Sequence, residues 1–513
     1  MSEKNEKELG HGQSFDTKTP DVESHAPVAE SSSWMYRSPK IGPIKLPYYA
    51  SPWAQLLIIS FVCFLCPGMF NAVQGLGAGG SMDPDHVNKA NTALYSTFAV
   101  VGFTAGTIAN WLGLRITLFF GGIGYFLYVA SLLSYEKNGN VGFVVFAGAL
   151  LGTCAGCLWT AQGAIMMSYP NERQKGKFIS VFWVIFNLGG VIGSLVPLGQ
   201  NIQNKTNSVN DGTYIAFMIL MFLGFLLTFG LVNVKNVRRP DGSRVIAMKN
   251  PSLVSELKGL VQTLKSDTYI ILLFPMFWSS NWFTTYQFNC VNLPMFTIRT
   301  RSLNNVLYWA FQMVGASVFG YLLDIRGVRR TIRARCGLGL LFAITMGVWA
   351  GGYVFQKGYT REWVAAMDAA AEEAGTTSPH RMDWSEGRYI GPMFLYIFYG
   401  FYDAAFQTCA YWFMGSLTNN SRKLANFAGF YKGIQSAGAA VTWALDLDKI
   451  KYMPFLASNW ALLSGSLLVA APVVFMKIKD NVDVEEDLKF SDDVLENVVP
   501  SEVLEQRQGR VSK

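Results

Sequence analysis

Apolar residues run along this chain in blocks of the length a helix needs to cross the hydrocarbon of a bilayer, about 20 residues. The blocks lie near residues 52–75, 91–113, 117–135, 141–168, 176–199, 213–234, 268–290, 304–323, 333–355, 390–416, 425–446 and 456–477. The pattern predicts twelve membrane helices, with polar residues interrupting the eighth and the eleventh. A basic, polar stretch over 235–267 divides them six and six. The predicted organisation is a disordered cytoplasmic tail over 1–48, a six-helix bundle over 49–234, a cytoplasmic linker over 235–267, a second bundle over 268–477 and an acidic cytoplasmic tail over 478–513. The long loop 357–389 should carry a short surface helix in its Ala-rich part, Trp363 to Ala374.

Basic residues gather in the loops on the side of the two tails, including Arg173, Lys175 and Lys177, the linker, and the run Arg326 to Arg335. Positive loops face the cytoplasm, so both termini are expected there. The N-terminal stretch lacks the early apolar core of a secretory signal.

Composition sharpens this picture. Of 513 residues, 51% are hydrophobic and only 15% charged, against about 25% charged in soluble domains. A soluble enzyme, a disordered chain and a secreted disulfide scaffold are excluded. The net charge of +7 is explained by the loops and calls for no nucleic acid. Cys63 and Cys66, and Cys154 and Cys157, sit three apart on apolar helices. Buried cysteine behaves as a small hydrophobe, and no metal site is expected. Every histidine lies in a tail or a loop, and no HExxH, nucleophile elbow or phosphate loop is present. The reading is therefore not an enzyme, and no cofactor is expected.

The two halves repeat each other. After the second span runs Gly106-x3-Asn110-Trp111-x-Gly113-x-Arg115; after the eighth runs Gly320-x3-Asp324-Ile325-Arg326-Gly327-x-Arg329-Arg330. A second match pairs Asn171, Lys175, Phe182, Asn187 and Gly190 with Asn419, Lys423, Phe430, Gln435 and Gly438. Glycine permits close helix approach, and a carboxylate can cap a helix N-terminus. The first motif thus reads as a clamp on the tail side, made of Gly106, Asn110, Gly113, Arg115, Gly320, Asp324, Gly327, Arg329 and Arg330.

This architecture resembles the major facilitator superfamily: an all-α membrane protein of twelve helices in two pseudo-symmetric six-helix bundles. Finer features resemble its Unc-ninety-three-like branch of ion-channel-regulatory-protein relatives, in a fungal-type form. They are Pro67 to Ala72 with Gly75 to Gly80, Trp159 to Gly163, and Phe182 to Gly189 with Gly193-Ser194. The resemblance implies that spans one, four, seven and ten line a central cavity. It also implies that Asp324 lies against the start of span five, near Lys175 and Lys177. Asn110 stands where the superfamily usually has Asp.

Polar residues within spans are costly in lipid and normally face the bundle interior. They fall in helical stripes on those four spans. The candidate cavity residues are Asn71 and Gln74; Trp159 and Gln162; Asn281, Trp282, Thr285 and Asn289; and Gln407 and Tyr411. Asp403, near the middle of the tenth span, is the candidate proton-coupling group. Such a wall suits a neutral or weakly cationic organic ligand. Lys432 either snorkels to the interface on its long stem or pairs with Asp403. Asn204-Lys205-Thr206 is a glycosylation sequon in a loop placed outside; Asn419-Asn420-Ser421 is one placed inside.

The expected function is secondary active transport of a small organic solute by alternating access, possibly proton-coupled. The alternative, which the resemblance implies, is a non-transporting regulator or trafficking partner of a channel or receptor. The expected partners are the lipid bilayer, a small-molecule substrate and, in the second case, another membrane protein. The pattern does not distinguish the plasma membrane from an endomembrane.

Overall fold

Inside a bilayer every backbone N–H and C=O must be satisfied within the protein, which for an open chain leaves the helix. The computed structural model of the protein describes residues 33–75, 84–171, 174–201, 211–240, 242–245, 261–376 and 378–481. Among them, twelve membrane-crossing elements follow in order. They are α1 (Pro52–Gln74), α2 (Pro84–Leu112), α3 (Leu114–Asn138), α4 (Val141–Ser168), α5 (Lys175–Asn201) and α6 (Asp211–Leu226). The second half has α7, broken into short pieces between Thr268 and Met295, then α8 (Ile298–Leu323), α9 (Arg330–Gln356), α10 (Ile390–Leu417), α11 (Ser421–Leu447) and α12 (Tyr452–Met476).

Local chemistry sets the ends. Ser51 caps α1 by accepting from Ala54 N–H, with Pro52 at its first position. Asn140 caps α4, and Asn420 caps α11 through Arg422 and Lys423. Gly139 closes α3 in the left-handed conformation. Large apolar side chains such as Val100, Phe146, Phe222 and Leu468 point outward and stay exposed, as a lipid-facing surface requires.

Eight of these helices are long and apolar enough to cross a membrane on length and composition alone. The others depart from the pattern for physical reasons. α10 and α11 are long, but most of their residues are buried. Enclosure by protein lets them carry tyrosines, amides, Asp403 and Lys432 where lipid would not. α6 is short and continues as a 3₁₀ turn, Leu227–Gly230. α7 breaks at Ser280 and Asn281 and then passes through a π segment, Tyr286–Asn292. α1 holds its own π segment, Phe64–Gly68, around Pro67.

The halves meet along two seams, α2 against α11 and α5 against α8. In the loop 357–389 a short helix forms over Arg361–Glu373, close to the predicted stretch. The N-terminal segment differs from expectation. Residues 33–48, read as part of a disordered tail, form a 3₁₀ turn and a small hairpin pairing Lys40–Ile41 with Ile44–Lys45. Aromatic side chains are the reason. Trp34 packs on Tyr49 and Tyr36 on Tyr48, while Tyr36 and Tyr48 donate to the backbone carbonyls of Asn236 and Arg238. The remainder of both tails, the linker residues 246–260 and the sequon at Asn204 lie outside the described residues.

Candidate functional site

Between the halves lies a cavity of about 110 Å³. It touches nine helices: α1, α2, α3, α4, α5, α7, α8, α10 and α11. Of the residues expected to line it, Asn71, Gln74, Trp159, Asn281 and Gln407 do so, and so does Asp403. Five others lie outside the lining. Gln162 is buried one turn further along α4, with Nε2 on Met166 Sδ. Trp282 turns to α12 and donates to Ser458. Thr285 bonds Thr442 of α11. Tyr411 packs on Tyr431. Asn289 donates to Asp446 nearer the loop face. These polar side chains join helix to helix, a use that spacing along one helix does not distinguish from lining a cavity.

The walls from α2, α3, α5, α8 and α11 were missed. They bring Tyr95 and Phe98, Tyr125, Trp183 and Phe186, Trp309 and Gln312, and Lys432, Gln435, Ser436 and Trp443. One signal was present in the chain. Gln435 is the repeat partner of Asn187, a buried amide at matched positions in both halves.

Asp403 is buried, and its oxygens are held by three donors. Gln407 Nε2 reaches Oδ1 at 2.7 Å; Tyr308 OH and Gln312 Nε2 each reach Oδ2 at 2.9 Å. Lys432 corrects both earlier readings of it. It does not snorkel, because it is buried against the cavity, and it makes no direct ion pair with Asp403 among the described residues. Its ammonium donates to Gln435 Oε1 at 2.8 Å and to Gln407 Oε1 at 3.5 Å. It lies 4.6 Å from the ring centre of Trp159, 4.8 Å from that of Tyr431 and 5.5 Å from that of Tyr411. The quadrupoles of these rings favour a cation. Gln407 therefore stands between acid and base, its N–H on Asp403 and its carbonyl toward Lys432.

On the tail face the repeated motifs meet the seams. A Cβ on Gly106 would lie 2.8 Å from Ala425 O, across to α11. A Cβ on Gly320 would press on Ser180 and on the Gly176 carbonyl of α5. Gly113 and Gly327 share a left-handed backbone, φ 83° and 81°. Asp324 accepts from Lys177 N–H at 2.8 Å, at the first turn of α5. Arg333, outside the expected set, is the arginine 3.8 Å from Asp324. Arg329 instead pairs with Asp480 at 2.8 Å, and Arg330 donates to Lys479 O. Thr331 N–H, first, and Arg329 push the Asp480 carboxyl down to about 2. Arg115 sits over Phe229. Lys175, buried, donates to the carbonyls of Gly415 and Thr418 and to Asn419 Oδ1, tying α5 to the end of α10.

On the loop face a second polar set crosses the halves. Asp446 of α11 accepts from Arg361 of the loop helix at 2.6 Å, from Asn289 at 2.8 Å and from Asn88 of α2 at 3.2 Å. Lys449 pairs with Asp85 at 2.7 Å. The cavity is thus bounded above and below by contacts that join one half to the other.

Known proteins match this architecture. The Major Facilitator Superfamily profile covers residues 56–442. An UNC93-like protein of Schizosaccharomyces pombe is 52% identical over 462 residues, 90% of each chain. UNC93-like protein 1 of Arabidopsis thaliana is 43% identical over 436 residues, 85% of this chain and 92% of its own. Among solved structures, the proton:xylose symporter XylE bound to 6-bromo-6-deoxy-D-glucose superposes with a TM-score of 0.58 at 12% identity, covering 86% of this chain and 99% of its own. FucP in the outward conformation gives 0.52 at 11% identity, covering 82% and 98%. At these identities the two structures speak for the fold alone. The relatives carry the finer assignment: the chain belongs to the Major Facilitator Superfamily, in its UNC93-like branch of fungal type.

Proposed function

We propose that the protein is a secondary transporter that carries a small organic solute by alternating access, with Asp403 as its proton-responsive group. One observation carries the reading: a cavity shared by both halves holds a buried carboxylate and a buried ammonium joined through one amide. Rocking of the halves about such a site exposes it to one side and then the other. In this reading the bundles are 49–234 and 268–477, and the tails and linker are cytoplasmic. Asn204 faces outside, while Asn419 sits inside against Lys175.

The hydrogen bonds suggest how a proton couples to motion. The Tyr308 hydroxyl has one hydrogen and two acceptors, Asp403 Oδ2 at 2.9 Å and Gln287 Oε1 at 3.0 Å. With Asp403 ionised, Tyr308 donates to it. With Asp403 protonated, the carboxyl O–H donates to Tyr308, and the Tyr308 hydroxyl turns to Gln287. Tyr308 belongs to α8, which forms a seam with α5. The protonation state is thereby felt where the halves slide.

The test is uptake into proteoliposomes by the purified full chain, over a panel of small neutral, cationic and anionic solutes, with and without a pH gradient. The expected outcome is gradient-dependent accumulation that Asp403→Asn abolishes, leaving exchange or downhill flux in a folded protein. Undiminished accumulation by Asp403→Asn would remove the coupling role. Failure to move any solute would favour a regulator or trafficking partner of another membrane protein.

A further inference from the structure

We infer that Lys432 is the point at which the cavity recognises a carboxylate, so that the solute is a small organic acid with a ring or branched apolar body. The inference rests on the transport reading for its site and adds the substrate class.

The two charges in the wall are not equivalent. Three donors already occupy the Asp403 carboxylate, all supplied by the protein. An ammonium has three hydrogens to give. Lys432 meets one acceptor at 2.8 Å and a second at the 3.5 Å limit, both neutral amide oxygens. Its other surroundings are ring faces, which favour a cation but accept no full hydrogen bond. Of the two buried charges the positive one is the less complete: three of the carboxylate's about four acceptor sites are taken, whereas the ammonium makes one short bond. The same lining holds one buried donor and one buried acceptor with no partner among the described residues, Trp183 Nε1 and Gln312 Oε1. The oxygens of a carboxylate ligand complete Lys432 and the Trp183 N–H, and a hydroxyl or amide donor on its body completes Gln312. A cationic ligand would find one site left on Asp403 and would face Lys432. This reverses the polarity expected from the sequence, where Lys432 was read as a group turned to the interface or paired with the acid.

The rest of the cavity sets the body of the ligand. Beyond Lys432 the wall is shared between polar side chains and aromatic rings, Phe98, Phe186, Phe288 and Trp309 among the latter. An apolar cavity of about 150 Å³ holds benzene. The space here, about 110 Å³, therefore admits a body no larger than about one ring or a short branched chain. Asn71, from the other half, remains to contact a polar substituent, whereas the Gln74 amide is paired with that of Asn91.

The experiment compares isosteres that differ in charge. Benzoate against benzamide, and isovalerate against isovaleramide, are titrated into the detergent-purified full chain, with tryptophan fluorescence and calorimetry as readouts. Wild type should bind at least one acid tenfold or more tightly than its amide. Lys432→Met should lose that preference, and Lys432→Arg should recover part of it. Equal binding of acid and amide by wild type, binding of none of the four, or a preference that survives in folded Lys432→Met would each overturn the assignment. The wild-type comparison needs no variant, so it stands if Lys432→Met fails to fold. Proteoliposome uptake of the same probes separates the two readings. Selective binding without uptake removes transport and keeps the carboxylate site. Uptake of the amide at the rate of the acid removes the carboxylate site and keeps transport.

Discussion

Gly102 of α2 and Gly433 of α11 meet backbone to backbone across one seam: a Cβ on Gly102 would stand 2.5 Å from the Gly433 Cα. Neither main chain can yield without separating the halves. Overpacking of this kind costs about 1–3 kcal/mol. Gly102→Ala should therefore lower the melting temperature in detergent, while Gly339→Ala, where nothing lies within 4 Å, should leave it unchanged. Equal melting of the two variants would show that the seam is not tightly closed. Gly106 and Gly320, also at the seams, were legible as glycines in a repeated motif, though not the helix each approached; Gly102 and Gly433 lie outside that motif. The cavity divides in the same way. Asn71, Gln74, Asn281, Gln407 and Asp403 stood out because an amide or acid interrupts an apolar run. Tyr95, Phe98 and Trp309 did not, because an aromatic ring suits a cavity wall as well as lipid; Phe146 is exposed on the outer surface. Lys432 was placed in its span but misread, because its stem is long enough to reach an interface, and two of the three aromatic faces that hold it, Trp159 and Tyr411, come from other helices.

At the scale of elements, the twelve spans were legible because hydrocarbon thickness imposes one length on all of them. What the pattern did not show was the interruption of α1 and α7, the first helix of each half. Both contain a π segment, a feature that recurs at functional sites. The hydropathy run of α1 stays apolar through its segment, and the amides in that of α7 read as polar positions on a continuous helix. The long loop gives a prediction at this scale. Arg299, at the start of α8, holds Asp383 with two bonds of 2.6 Å. Arg299 first, then the donors of Ser385 and Thr297, push the Asp383 carboxyl well below the ordinary carboxylate range, against an opposing push from burial. A depressed folded value means that the contribution is full above the unfolded value of about 3.9 and is lost only as pH falls through the folded one. The loop should therefore remain pinned at pH 5 as at pH 7. Amide protection over 378–389, taken relative to the intrinsic exchange rate at each pH, should match at these two pH values in wild type and fall at both in Asp383→Asn. Loosening of the wild-type loop between pH 7 and pH 5 would show that another group controls it.

For the whole molecule, the two sets of contacts between halves act as opposing latches around one cavity, which gives the last prediction its sign. On the tail face Asp324 lies on the first turn of α5, where a carboxylate is stabilised by about 0.3–1 kcal/mol when exposed and up to about 2 when partly buried. On the loop face Asn88 of α2 reaches Asp446 across the halves at 3.2 Å, while Arg361 and Asn289 hold Asp446 within the second half; removing one partner of that buried ion pair costs about 3–5 kcal/mol of stability without acting on the balance. Asp324→Asn weakens the tail-side latch alone and should shift the balance several-fold toward opening on that face. Asp446→Asn, which weakens the bond to Asn88, should shift it the other way. Because it strands Arg361, the paired change Arg361→Gln with Asp446→Asn should keep the direction while restoring stability. Single cysteines placed at the cavity residues Gln74 and Ser436, labelled from either side of sealed vesicles, read both effects. Opposite changes in labelling identify latches on one rocking body. Changes of the same sign in both variants would mean that each substitution merely loosens the packing, and unaltered labelling in Asp324→Asn would remove the tail-face clamp.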